Sequence, residues 1–193
     1  MADVTSRADE AGTGGMAGLS AGADPARAHP GEGDLAGAWS SWAGAVTLVT
    51  VADGRDDVGA TVSAFCPVSE DPPLVLVSLM AGSYPAELFG RAEEPVTRFA
   101  VTLLAAGQRV LAGRFAAAGR PGARLMLGDV PHQRGPVSGA LIVEGGLAAI
   151  ECAAEQRIPA GDHLLVIARV TDVPYVAGAG EPLIRFRRHY LTR

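Results

Sequence analysis

Three short segments of the sequence carry side chains that could bind a polar ligand, and the first is Thr61-Val62-Ser63-Ala64. Its two hydroxyl groups lie where a predicted strand gives way to a loop. Hydroxyls and open backbone groups at such a point can hydrogen-bond the edge of a planar polar ring. Thr61 and Ser63 also fit the outward face of a half-buried strand, because they alternate with apolar residues. The pattern alone leaves both interpretations open.

The second segment is Ala81-Gly82-Ser83-Tyr84-Pro85. Ser83 is placed to cap a short helix that runs through Leu88 and Phe89, with Pro85 near its first turn. The start of a helix presents free N–H groups and a positive dipole to an anion such as a phosphate. A serine that serves only as a cap would have the same sequence.

The third segment is Gly161-Asp162-His163, which leads directly into the apolar run from Leu164. A Gly-Asp turn before a strand would fix the histidine at the mouth of a barrel, where its ring can stack or donate a hydrogen bond. A histidine at the start of a strand is also an ordinary structural residue. Neither His29 nor His132 has the neighbours of a metal ligand, so no metal site is expected.

The elements that would position these segments are mostly strands. A hairpin is predicted over 45–52 and 59–65, with the turn signal Asp53-Gly54 between its strands. Further strands are predicted over 74–79, 99–104, 147–158, 163–173 and 182–186, and helices around 35–42, from 83 and over 108–118. Strands at short intervals with a few inserted helices favour a closed or nearly closed β-barrel. The sequence has no βαβ repeat and no G-x-G-x-x-G, so a Rossmann nucleotide site is disfavoured.

Composition indicates one globular domain that follows an N-terminal tail. Residues 1–33 are rich in Gly, Ala, Asp and Pro, and we predict a disordered tail there and a single domain over 34–193. The net charge of -5 is spread along the chain, which disfavours a nucleic-acid partner. The sequence has no apolar run long enough for a membrane span, and acidic residues stand where a signal peptide needs basic ones, so a cytoplasmic location is expected.

The two cysteines, Cys66 and Cys152, lie far apart and each within an apolar run. A free thiol in such a run usually behaves as a small buried hydrophobe. We expect both to be buried, with no disulfide and no thiolate metal site.

The segment from Thr61 to Val77 resembles the T-x-S-S/A-F-x-S-V-S-x-D-P-P-L-V-L-V motif of the flavin reductase-like family, the FMN-binding split barrels of two-component monooxygenases. Gly161-Asp162-His163 matches that family's G-D-H-x-L-x-x-G-x-V motif, with Ala168 in place of the last Gly. Phe99–Leu104 is similar to its F-A-V-N-V-L strand, with Thr102 for Asn. The ending P-L-x-Y-x-x-G-x-Y is also similar, with Arg185 for Tyr and Arg188 for Gly. The resemblance covers about residues 35–190 and is greatest to reductases of bacterial polyketide and enediyne pathways.

The resemblance implies a homodimeric Greek-key split barrel that reduces FMN or FAD with NADH, NADPH being the less expected donor. Free reduced flavin would then diffuse to a partner monooxygenase. The flavin-binding residues implied are Thr61, Val62, Ser63, Ala64, Ser83 and Tyr84. Gly161 and Asp162 would form the turn that aims His163, the residue implied at the nicotinamide site and the candidate catalytic residue.

Two other functions fit the same fold. The first is a flavin-binding electron carrier without turnover, in which Arg185 and Arg188 close the nicotinamide site. The second is an oxidase of the pyridoxamine-phosphate type, which is disfavoured because the barrel strands lack the basic residues that would bind the substrate phosphate. Arg185, Arg187, Arg188 and Arg193 either contact the phosphates of a dinucleotide or form a solvated basic terminus.

Overall fold

The protein is described by a computed structural model that covers residues 32–54, 56–93 and 95–191. Its strands are β1 (Gly44–Ala45), β2 (Thr47–Val51), β3 (Val58–Val62), β4 (Phe65–Glu70), β5 (Pro73–Met80), β6 (Arg98–Leu103), β7 (His132–Arg134), β8 (Leu141–Val143), β9 (Ala148–Ala160), β10 (His163–Val176), β11 (Ile184–Phe186) and β12 (His189–Leu191). Its helices are α1 (Glu32–Ser40), α2 (Tyr84–Gly90), α3 (Arg109–Ala116, after a 3-10 turn at Ala106–Gln108) and α4 (Ala123–Met126).

The main sheet has seven strands in the order β3-β2-β6-β9-β10-β5-β4, and every neighbouring pair is antiparallel. Its two edge strands, β3 and β4, are consecutive in the chain and are joined only by Ser63 and Ala64. Three Cα–Cα steps span at most about 11 Å, so Val62 at one edge and Phe65 at the other lie within that distance. The sheet must therefore curl until its two edges approach each other.

The inside of the curled sheet is the larger hydrophobic core. It is filled by Val49, Val77, Val101 and Val166 from four different strands and is closed by α2. Phe89 of α2 packs edge-on against Phe99 of β6, with ring centroids 5.2 Å apart. The helix after the second polar segment is thereby anchored in the core.

A second core lies on the other face of β2. Leu48 of β2, Leu111 and Phe115 of α3 and Leu183 before β11 are buried together there. Because β2 is buried on both faces, its sequence is apolar or Thr throughout. A Cβ on Gly59 of β3 would lie 2.5 Å from the Phe115 ring, so glycine lets α3 pack directly on this strand.

Two smaller sheets complete the fold. The order β1-β11-β12 gives a three-stranded sheet, in which Gly44 pairs with Arg185. β7 and β8 form a separate antiparallel pair. The first of these sheets brings the C-terminal residues next to the start of the domain.

The prediction of a mostly β protein with a few helices is confirmed. Each predicted strand and helix has a counterpart within a few residues, but β4, α4, β7, β8 and β12 were not predicted. β4 is exposed on both faces and contains Pro67, which an edge strand tolerates, so it shows no alternation. Residues 1–31 of the predicted tail lie outside the described residues, and α1 begins at Glu32.

The expected burial of both cysteines is half correct. Cys152 is fully buried in β9, and burial, helped by the nearby charge of Glu151, raises the pKa of its thiol to about 12. The prediction was wrong for Cys66, which is exposed on edge strand β4. An apolar run indicates burial only where another layer covers the strand, and nothing among the described residues covers this part of β4.

One buried ion cluster ties the β2–β3 hairpin to the layer outside it. The carboxylate of Asp57 is buried and accepts hydrogen bonds from Arg124 and Arg134, with N–O distances of 2.7 Å to each. Burial alone would raise the pKa of Asp57, but the two guanidinium groups outweigh it and hold this pKa below its ordinary value. Ala123 of α4 also donates its backbone N–H to the Asp57 carbonyl.

We expect Asp57→Asn to lower the free energy of unfolding by about 2 kcal/mol at neutral pH, less than for a fully buried ion pair because both arginines remain hydrated. Since the folded pKa is depressed, the stabilisation is present above pH about 4 and is lost as the pH falls below it. Urea unfolding of wild type and variant between about pH 3 and 7 measures both effects. Asp56→Asn, at the exposed neighbouring position, is the control. A variant as stable as wild type at pH 7 would contradict the assigned role of Asp57.

Candidate functional site

Backbone hydrogen bonds bring the three polar segments to one end of the main sheet. Ser78 of β5 donates to the carbonyl of Ala64, and Ala81, just after β5, donates to the carbonyl of Asp162, each at 2.9 Å. Ser78 and Ala81 are three residues apart, or about 10 Å along an extended strand. Residues 64, 81 and 162, one from each segment, thus lie at the same end of the sheet, although about 100 residues separate the first segment from the last.

His163 is held at this end of the sheet by a tight hairpin. β9 and β10 are joined by Gly161 and Asp162 alone, and Gly161 has φ +61°, a conformation that strongly favours glycine. The ring Nδ1 of His163 lies 2.7 Å from the carboxylate of Asp162. With Nδ1–H donating to this carboxylate, Nε2 is directed away from it and is free to contact a ligand. The hydrogen bond and the charge of His163 lower the pKa of Asp162.

The structure divides the first segment into an inner and an outer half. Thr61 donates its hydroxyl to the carbonyl of Ala112 in α3 at 2.7 Å, and the Val62 carbonyl accepts the hydroxyl of Thr47 at 2.9 Å. These groups therefore serve the packing between strands and helix. Ser63 and Ala64 are exposed, so they are the part of the segment that a ligand can reach.

Ser83 and Tyr84 are engaged in local contacts at the start of α2. Ser83 accepts a hydrogen bond from the Ala86 backbone at 3.4 Å, which confirms the predicted cap. Tyr84 is about half exposed and donates its hydroxyl to Asp53 of the β2–β3 turn at 2.7 Å. This hydrogen bond raises the pKa of Tyr84 and ties the start of α2 to the hairpin.

A cleft of about 300 Å³ opens beside Ser63. Its walls come from α1, β1 and the C-terminal hairpin β11–β12, and it is lined by Ala36, Trp39, Ser40, Trp42, Gly44, Ser63, Arg185, Phe186, Arg187 and Arg188. Trp39 and Trp42 are 71% and 80% exposed, which is unusual for tryptophan. The sequence interpretation assigned no role to these tryptophans. The signal in the sequence that could have indicated this cleft is the pair of tryptophans three residues apart, just before β1.

Within the described ranges, no group of three or more His, Cys, Asp or Glu side chains could hold a metal ion. No helix in the part of the chain that the structure describes is long and apolar enough to cross a bilayer. The residues of the site described above carry hydroxyl, backbone, imidazole, indole and guanidinium groups.

A family model described as "Flavin reductase like domain" matches residues 39–192 of the chain. The chain is 37% identical over 183 residues to the NADH-dependent FMN reductase AsuE2 of Streptomyces nodosus subsp. asukaensis, covering 91% of this chain and 93% of the relative. It is 33% identical over 153 residues to the reductase component of 4-hydroxyphenylacetate 3-monooxygenase from Thermus thermophilus, covering 79% and 91%.

The structure is also similar to that of the Streptomyces globisporus C-1027 NADH:FAD oxidoreductase SgcE6, which was solved in complex with NAD and FAD fragments. The TM-score is 0.73 at 27% sequence identity, and the alignment covers 82% of this chain and 90% of that one.

We expect His163→Ala to raise the pKa of Asp162 toward the ordinary aspartate value of 3.8, because the variant loses the hydrogen bond and charge that lower it. The carboxyl carbon shift of Asp162, followed by NMR from about pH 2 to 6, measures this pKa. His132→Ala, which changes a histidine bonded to Val130 on another part of the fold, should leave the titration unchanged. An unaltered Asp162 pKa in His163→Ala would show that the two side chains do not interact in solution.

Proposed function

The chain belongs to the family of flavin reductase like domains, and from this membership we infer that it transfers hydride from NADH to FMN or FAD and supplies reduced flavin to a partner monooxygenase. The family resemblance predicted from residues 61–77 and 161–163 is confirmed. The observation that carries the proposal is the convergence of segments 61–64, 81–84 and 161–163 at one end of the sheet. These are the segments that the resemblance assigns to the flavin and the nicotinamide.

The donor set at this end suits a planar polar ring with a phosphate tail. Ser63 and Ala64 offer exposed backbone and a hydroxyl, and the turn at Gly82 and Ser83 leaves open space around its backbone. We propose that 63–64 hold the polar edge of the flavin ring and that Ser83 and Tyr84 lie near its phosphate. Thr61 and Val62 act indirectly, since their polar groups hold β3 against α3 and β2.

When both are bound, the nicotinamide supplies the hydride and the flavin ring accepts it, so the protein's task is to position them. The hairpin at Gly161 fixes His163 beside the 81–84 turn, and Asp162 fixes which ring nitrogen faces the ligand. His163 can then stack on, or donate a hydrogen bond to, the nicotinamide. We assign it the role of a catalytic residue in the sense of direct contact, with no proton transfer required.

The substrate range follows from the relatives. One is named an FMN reductase that depends on NADH, and another is an NADH:FAD oxidoreductase, so we propose NADH as donor and leave both flavins as acceptors. A third is the reductase component of a monooxygenase. We propose that this chain has the same division of labour, in bacterial secondary metabolism, with reduced flavin as the only link between the two components.

The same inference extends to architecture and location. The curl imposed by 63–64 supports a split barrel, and the exposed edge strand β4 supports pairing with a second copy to form a homodimer. We place the protein in the cytoplasm, where NADH is available, and residues 34–193 form its single catalytic domain.

The electron-carrier alternative required Arg185 and Arg188 to close the nicotinamide site. Both side chains are exposed and line an open cleft, which argues against closure. Reductase activity is therefore the function that the geometry supports best.

We expect rapid oxidation of NADH that depends on added FMN or FAD, followed as loss of absorbance at 340 nm. His163→Ala should lower kcat/KM for NADH about tenfold, the size of one lost ligand contact. The KM for flavin should change by less than about threefold. His132→Ala, a histidine outside the site, serves as the matched control.

Bound flavin without NADH oxidation in the wild type would replace the reductase proposal with the electron carrier. Equal kcat/KM for wild type and His163→Ala would remove the nicotinamide role from this residue and leave the reductase activity intact.

For the assembly, we expect a mass of about 39 kDa in light scattering after size exclusion, twice the chain mass of 19.7 kDa. Val68→Lys on the exposed edge strand should shift the protein toward the monomer, because a charge blocks strand pairing. Val110→Lys, at an exposed valine of α3, is the matched control for added charge. A wild type that elutes as a monomer at all concentrations would contradict the dimer.

A further inference from the structure

The cleft beside Ser63 combines aromatic surface with positive charge. Arg185, Arg187 and Arg188 line it, and none of them forms a salt bridge with a carboxylate among the described residues. The guanidinium of Arg187 lies 5.2 Å from the centre of the Phe186 ring, a cation–π distance. These three arginines are exposed, and no carboxylate that the structure describes neutralises them.

A second cavity beside the β11–β12 hairpin is also lined by arginines. This cavity has a volume of about 360 Å³ and is lined by Arg109, Arg188, His189 and Tyr190. Arg188 lines both cavities, so it lies on the ridge between them. Arg109 also forms no salt bridge with a described carboxylate. We call these two cavities, which share Arg188, the cationic groove; Trp39 and Trp42 line the first of them.

The backbone of the hairpin disfavours arginine at its two central positions. Arg187 and Arg188 connect β11 to β12 and have φ values of 47° and 66°, in the left-handed region that Gly or Asn occupies at little cost. Side chains with a Cβ cost stability in this conformation. An arginine at this site therefore carries a stability cost and contributes charge to the groove.

We propose that this groove binds the adenosine diphosphate half of a dinucleotide, with Trp39 or Trp42 stacking on the adenine and Arg187 and Arg188 contacting the diphosphate. Guanidinium groups bind phosphate oxygens through paired charged hydrogen bonds, and indoles stack on purines. The groove starts at Ser63, so a dinucleotide could place its reactive ring in the site and its adenosine half here. This proposal depends on the proposed function in one respect only, the identity of the dinucleotide that supplies the adenosine diphosphate.

NADH and FAD share this chemistry, whereas FMN lacks it. The direct test is titration with ADP alone, read by tryptophan fluorescence excited at 295 nm. Trp39 and Trp42 are the only tryptophans of the chain, and both line the cleft, so the signal reports on this site. We expect saturable quenching by ADP and a much weaker response to adenosine, which has no phosphate.

The variants separate ligand binding from folding. Arg188→Asn should raise the dissociation constant for ADP about tenfold, the effect of a lost charged hydrogen bond. Its melting temperature should be equal to or above that of wild type, because Asn tolerates the left-handed conformation. Arg188→Lys should retain more of the affinity. Arg169→Gln, at an arginine paired with Glu155 in the β9–β10 hairpin, is the control for a lost positive charge.

The proposal is overturned if ADP does not quench the fluorescence, or if Arg188→Asn binds ADP as tightly as wild type does. It is also overturned if the control Arg169→Gln weakens ADP binding as much as Arg188→Asn does. A rise in the KM for NADH in Arg188→Asn, measured with saturating FMN, identifies NADH as the source of the adenosine diphosphate. A rise in the KM for FAD alone identifies FAD, and no rise in either KM overturns the proposal. Because ADP binding is measured without turnover, it stands or falls separately from the reductase activity.

Discussion

Val62 and Phe65 belong to strands at opposite edges of one seven-stranded sheet, yet only Ser63 and Ala64 connect them. This short connection brings the two edges together, because two residues cannot span the width of a flat sheet. Most features of the site depend on it. The curl encloses the core that anchors α2 and exposes Ser63 and Ala64 at the seam, the line where the two edge strands meet. Ala64 is held there by Ser78 of β5, in a bond that continues the β4–β5 pairing.

The layer outside the sheet serves the same purpose by fixing the hairpin that leads to the seam. α3 lies directly on β3 because Gly59 has no side chain, and the hydroxyl of Thr61 is bonded to this helix. At the other end of the hairpin, Asp57 is clamped between two arginines and Asp53 is bonded to Tyr84. The position of Ser63 is thus set by contacts made at both ends of β3, and the residues with hydroxyl groups divide into those that support the seam and those that face the ligand.

The sequence was sufficient to predict the elements whose burial follows a simple pattern. β2, β5, β6, β9 and β10 are buried on at least one face, and alternation or apolar runs identified all of them. β4 was missed because it is exposed on both faces, and Cys66 was misplaced for the same reason. The segments 161–163 and 61–64 were identified by their sequence motifs. Their contact through β5 depends on the order of the strands in the sheet, which local sequence patterns do not encode. The groove was not predicted because α1 and the C-terminal hairpin are about 145 residues apart and meet through tertiary contacts. Gly44 and Ala45 of β1 pair with Arg185 and Ile184, and Arg187 donates its backbone N–H to the carbonyl of Ser40 at the end of α1.

The two cysteines differ in a way that is useful for spectroscopy. Cys152 is fully buried and its thiol is protonated at neutral pH, whereas Cys66 is exposed one residue after the start of β4. A maleimide dye added to the native protein will therefore react at a single defined position without prior mutagenesis. That position is two residues from Ala64 at the seam, within energy-transfer range of any chromophore held there. The wild-type chain thus carries its own attachment point for an optical reporter of ligand arrival and departure.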